Sequence, residues 1–142
     1  MIATFAGLAF LAMQTTPPES AWTWTLYADE SPVVLANEVP DTPNLRFTLE
    51  CEPRSGVARV TVYNGPAEAG MARVTAGGAS AVTESTTEGG VLKLALRTDH
   101  PVFAAFAAEG RLSVAVTEQR RSVEVPRTHL AKLRRFTELC SG

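Results

Sequence analysis

Leu45–Tyr63 reads L-R-F-T-L-E-C-E-P-R-S-G-V-A-R-V-T-V-Y. In its first half Leu45, Phe47, Leu49 and Cys51 alternate with Arg46, Thr48, Glu50 and Glu52. Successive side chains of a strand point to opposite faces, so the pattern predicts a ribbon with one dry and one wet face. Pro53-Arg54-Ser55-Gly56 carries turn chemistry, because proline presets φ and glycine accepts a positive one. The return run sets Ala58, Val60 and Val62 against Val57, Arg59, Thr61 and Tyr63. The stretch is therefore a β-hairpin, and Cys51 points with its core residues.

The second cysteine, Cys140, ends an apolar stripe. Pro126 precedes a predicted helix from about Arg127 to Leu139, along which Leu130, Leu133, Phe136 or Thr137, and Cys140 recur three or four residues apart. An inward cysteine on a central strand thus meets an inward cysteine on the closing helix. With no CxxC and no histidine cluster, a disulfide is the expected use of the pair, and it implies an oxidising compartment. The bond would close a loop of about 90 residues, worth roughly 4–5 kcal/mol in the chain-entropy picture.

Between and around these anchors the chain reads as short strands. Ala21–Tyr27 alternates, with Trp22, Trp24 and Leu26 on one face, and Val33–Ala36 follows as a second strand. Pro40 and Pro43 mark the next connection as a loop or a sheet edge, because proline cannot donate to a ladder. Met71–Ala76 and Ala79–Glu84 flank Gly77-Gly78, and residues 85–90 read as a polar loop. Val91–Arg97 turns Leu92, Leu94 and Leu96 inward. Thr98 or Asp99 is expected to cap a short helix near 99–109, with Pro101 in its first turn and Gly110 at its end. Arg111–Thr117 and Ser122–Val125 are the last strands, joined through a turn at 118–121. About nine strands at this spacing predict a mainly β fold: a small β-sandwich or partly open β-barrel of short antiparallel strands, with the two helices and one disulfide. The 142 residues are expected to divide into a signal-peptide-like segment and spacer, 1–21, and a single β-rich domain, 22–142.

Met1–Met13 is almost wholly apolar, long enough for a signal-peptide core but too short to span a bilayer. No lysine or arginine precedes Arg46, and no clean small-x-small cleavage site lies between Ala9 and Ala21. A start placed downstream of the true one would account for the missing basic residues. The competing expectations are an apolar helix that stays and packs, and a retained anchor. Cleavage of the segment is left open.

The net charge of −2 hides an asymmetry. Residues 1–110 carry 6 basic and 12 acidic side chains, and residues 111–142 carry 7 and 3. The basic excess sits largely on the last helix, where Lys132, Arg134 and Arg135 are expected late enough to suit the carbonyl end of its dipole and to offer a partner contact. No like-charged run exceeds two residues and no aromatics interleave with the arginines, which argues against nucleic acid.

Chemistry-bearing patterns are sparse. His100 lies beside Asp99 at a helix start, where capping is the ordinary role, and His129 is expected on the surface. Lys93 and Lys132 occupy expected outward positions, which disfavours a serine–lysine dyad. Glu50 and Glu52 share one wet face of one strand, an acidic stripe rather than a facing acid/base pair. No G-x-S-x-G and no phosphate-binding loop is present. No catalytic residue, metal ligand or cofactor is therefore assigned. Trp22 and Trp24 are expected in the core, with a ligand platform as the alternative. The outline, carried by Trp22, Cys51 and Leu139-Cys140-Ser141-Gly142, loosely resembles several groups of small exported bacterial proteins, and the 11 arginines against 2 lysines suit a GC-rich bacterial genome.

These readings predict a periplasmic or secreted, non-enzymatic module that binds another envelope protein or assists an assembly there, without stable membrane insertion. The alternative is a carrier barrel for an apolar or glycan ligand near Trp22 and Trp24. A hydrolase using Asp99 and His100 is the third.

Overall fold

In the computed structural model, residues 16–142 are described. The predicted signal-like stretch at 1–15 lies outside them. Nine antiparallel strands form one sheet: β1 (Thr23–Tyr27), β2 (Val33–Glu38), β3 (Leu45–Cys51), β4 (Val57–Val62), β5 (Gly70–Ala76), β6 (Ala79–Glu88), β7 (Val91–Arg97), β8 (Arg111–Val116) and β9 (Gln119–Glu124). Their spatial order is β1-β2-β3-β4-β7-β6-β5-β8-β9. The sheet curls into a half-barrel around α1 (Pro101–Glu109) and α2 (Leu130–Cys140). Of the two architectures expected, the partly open barrel is the one formed, because there is a single sheet and helices, not a second sheet, cover its inner face.

The alternation read in the central hairpin is the register that forms. Phe47 stands opposite Val62 and Leu49 opposite Val60. Val60 in turn faces Leu94 across β4–β7. Phe47, Leu49, Cys51, Ala58, Val60, Val62, Leu92, Leu94 and Leu96 are all buried. From the helices, Val102, Phe103 and Phe106 of α1 and Leu133, Phe136 and Cys140 of α2 fill the concavity. Edge-to-face contacts link Trp24 to Phe47, Phe47 to Phe106, and Phe106 to Phe103, at centroid separations of 6.0, 6.4 and 6.1 Å.

The ladder divides at β6. Its first half pairs only with β5, and it reaches β7 only through Ser85–Glu88. Helix α1 packs against β5, β6 and β8 on the inner side of that split. Gly110 ends α1 in the left-handed region at φ 78°, and a Cβ there would lie 2.4 Å from the Val125 carbonyl oxygen, so no other residue fits without displacing the backbone.

The disulfide joins Cys51 and Cys140, with Cα atoms 5.9 Å apart. Two backbone bonds reinforce it: the Arg54 amide donates to the Leu139 carbonyl at 3.0 Å and the Gly56 amide to the Cys140 carbonyl at 2.7 Å. The last carbonyls of a helix have no partner within it, and here the β3–β4 turn supplies two.

Several sequence expectations are corrected. Residues 85–88 are strand, not loop; β6 is almost wholly polar on its solvent face, and the buried Ser85 hydroxyl bonds to Gly70, so hydropathy does not reveal it. Pro40 and Pro43 sit in the loop between β2 and β3, both of which have neighbours on each side, so this is no sheet edge. The helix cap is His100 rather than Thr98 or Asp99: its Nδ1 accepts the Val102 amide at 3.0 Å. The last hairpin turns at Thr117-Glu118, so β9 begins at Gln119 and holds Arg120 and Arg121 within the strand.

Candidate functional site

The two sheet edges differ. On β1, the Trp24 carbonyl accepts a 2.6 Å bond from the Lys132 ammonium. The lysine reaches over from α2 and takes up one outward acceptor of that edge. This revises the expectation that Lys132 points outward for a partner. It lies in the first turn of α2, so the carbonyl end of the dipole has no part in its placement.

The β9 edge offers a longer row of outward groups. The hairpin pairs Val116 with Gln119, Val114 with Arg121 and Leu112 with Val123. The Val125 amide donates to Gly110 at 2.7 Å, on the β8 side of the strand. Backbone groups alternate along an antiparallel strand, so Gln119, Arg121 and Val123 also face β8, while Arg120, Ser122 and Glu124 aim their N–H and C=O groups outward. Among the described residues, only the Arg120 carbonyl of these meets a donor, the Arg121 guanidinium at 3.2 Å. Gln119 and Arg121 instead fasten the strand to the β4–β5 connection: Gln119 Oε1 accepts the Ala67 amide at 2.7 Å, and Arg121 Nε donates to Asn64 O at 2.8 Å.

The outward edge of β9 forms one wall of a seam at the rim of the half-barrel. A groove of about 310 Å³ runs between Arg121–Glu124 and the rim residues Trp24, Asn37, Arg46 and Tyr63. It continues into a second space of about 240 Å³ lined by Trp22, Glu124, Thr128 and His129. The Arg46 guanidinium lies 3.9 Å from the Trp22 ring centroid, a cation–π contact, and forms a two-pronged pair with Glu19 at 2.8 and 2.9 Å. That pair holds the Glu19 carboxyl below the usual carboxylate range. Trp22 therefore stands outside β1, half-buried beneath Arg46, and does not join the core cluster that holds Trp24. Trp22 Nε1 and His129 Nδ1 are both buried without a hydrogen-bond partner among the described residues. His129 is thus half-buried rather than a surface residue, and burial together with the nearby Lys132 cation pushes its imidazole below the ordinary histidine pKa.

The remaining singled-out residues do not converge on the seam. Arg134 lines a separate space of about 910 Å³ with Glu109, Arg111 and Arg127, and Arg135 pairs with Glu138 at 3.1 Å. Asp99 is gripped by Arg97 at 2.9 and 3.1 Å, which lowers its carboxyl pKa, and His100 Nδ1 is taken up by the helix cap. Glu50 pairs with Arg59 at 2.8 Å on the outer face. Among the described residues no three histidine, cysteine, aspartate or glutamate side chains cluster as a metal would require. Nor is any described helix long and apolar enough to cross a membrane.

Sequence reading missed the β9 edge because Q-R-R-S-V-E lacks clean alternation and its charges read as a turn. A signal existed in Ser122-Val123-Glu124-Val125, which fixes the phase of the strand. No family model, curated protein or solved structure matches the chain.

Proposed function

We propose that this chain is a non-enzymatic protein-binding module of the periplasm or the secreted space, which captures an extended segment of another protein chain there by strand addition to β9. The supporting observation is the row of outward N–H and C=O groups at Arg120, Ser122 and Glu124, facing an open seam. Main-chain bonds supply affinity in such complexes and alternate side chains supply selectivity. The segment that fits places a carboxylate against Arg120, a small residue against Ser122 and a cation against Glu124. The buried disulfide favours an oxidising compartment.

The carrier reading has less support. Trp24 is 4% exposed and the concavity is filled by Phe103, Phe106, Leu133 and Phe136, which leaves the seam as the place near the tryptophans for a ligand. The Asp99/His100 reading would have to free both side chains from Arg97 and the α1 cap.

A photo-cross-linker at position 122 tests the proposal in the native envelope. The expected product is an adduct mapped by mass spectrometry to an extended segment of a protein chain, and Ser122→Pro, which removes an outward N–H but no bond to β8, should abolish capture. Absence of any adduct, with turnover of a substrate by the purified protein, would sink it.

A further inference from the structure

We infer that the β9 edge recognises a second copy of itself, in antiparallel pairing about a two-fold axis through Ser122. The inference rests on the strand-addition reading above and names its partner. An edge pairing with its own copy must be self-complementary, each residue meeting the one related by the axis. The outward residues of β9 are, in order, Arg120, Ser122 and Glu124. Centring the axis on Ser122 sets Arg120 against Glu124 of the second copy, Glu124 against the second copy's Arg120, and Ser122 against its own counterpart. Both charged pairs are attractive, and the centre is small.

The alternatives are disfavoured by the same charges. Centring on Arg120 places two guanidinium groups opposite one another, and centring on Glu124 places two carboxylates there; like charges directly opposite destabilise a pair. A one-residue slip keeps the same outward groups but centres the axis on Arg121, which opposes two guanidinium groups, or on Val123, which sets Arg120 against Pro126, a residue with no N–H to donate. Charge and backbone phase together select one register.

All three residues are exposed, as is their flanking neighbour Arg121. Arg111 opposes Glu124 within the sheet but lies 3.9 Å from its carboxylate, too loose to occupy it. One contact must yield. The Arg121 guanidinium leaves the Arg120 carbonyl, which then accepts the second copy's Glu124 amide, while its 2.8 Å bond to Asn64 remains.

Sedimentation velocity across a concentration series, on the oxidised protein, tests the pairing. A monomer–dimer equilibrium is expected. Arg120→Glu and Glu124→Arg should each weaken it about tenfold, since each places like charges opposite twice. The combined variant Arg120→Glu/Glu124→Arg should restore it, which separates charge pairing from a folding defect. Ser122→Cys should be trapped as a covalent dimer, because directly opposite Cα atoms in such a pair lie about 5.5 Å apart. Arg120→Cys should not be trapped. A monomer at every concentration with no trapping at position 122 overturns self-pairing. If the photo-cross-linker at 122 then captures an extended segment of a different protein, the broader reading stands; if it captures nothing, both fall.

Discussion

The two ends of α2 meet the sheet in opposite ways. At its C-terminal end the chain is tied three times within a few residues: the Cys51–Cys140 bond and the amides of Arg54 and Gly56 on the last carbonyls. At its N-terminal end a single ammonium, Lys132, reaches the Trp24 carbonyl, next to two buried polar atoms without partners and a strand with open backbone groups. Rigidity gathers where the helix closes the barrel, and unmet hydrogen-bonding capacity gathers where the barrel stays open.

The largest expected effect comes from removing the strongest tie. Replacing both cysteines by alanine should cost about 2–5 kcal/mol in denaturant unfolding and remove the protection of the Gly56 amide against hydrogen exchange. If protection were instead lost first at β9, the tied end would not be the anchor.

Next in size is Gly110→Ala, close to the open end. Its left-handed φ alone costs an alanine roughly 1–2 kcal/mol, and displacing the Val125 carbonyl adds to that. The expected signature is early exchange of the Val125 amide, which bonds to Gly110, while the disulfide end stays protected. Uniform loss across the sheet would remove the distinction between the ends.

Lys132→Met should cost less, about 1–2 kcal/mol, by leaving the Trp24 carbonyl without its charged donor. It should also free one more acceptor on the β1 edge, so any concentration-dependent association through that edge should rise in light scattering. Unchanged association would show that Lys132 is not what keeps that edge closed.

The smallest effect is that of pH at His129. Its pKa is depressed in the folded state, so below the ordinary histidine value of about 6.5 the unfolded chain binds more protons than the folded one. Stability therefore rises with pH through the window from the folded pKa up to about 6.5, and is lost as pH falls through it. Denaturant midpoints at about pH 7.5 and 5.5 should differ in the parent and differ less in His129→Gln. An equal drop in both would place the titration elsewhere.

Alternation and helical spacing act on a few residues at a time, and so they were legible. Cys51 and Cys140 each took a side from local periodicity, and once both sides were inward the bond between them followed. The inward rows of β3, β4, β7 and β8 and the facing of Phe103 and Phe106 were set the same way. The polar end of β6 escaped because its solvent face is hydrophilic in strand and loop alike. His100 as a cap escaped because histidine seldom takes that role.

What the sequence determined by itself was the class of fold, the phase of most strands and the cross-link, since each depends on neighbours two, three or four positions away. Only the tertiary structure decided which strands became edges, that Lys132 reaches the Trp24 carbonyl on one of them, and that Trp22 lies outside the core under Arg46. Those outcomes depend on which element arrives beside which after the sheet has curled. Contacts between residues as far apart as Trp24 and Lys132 leave no periodic trace in the chain.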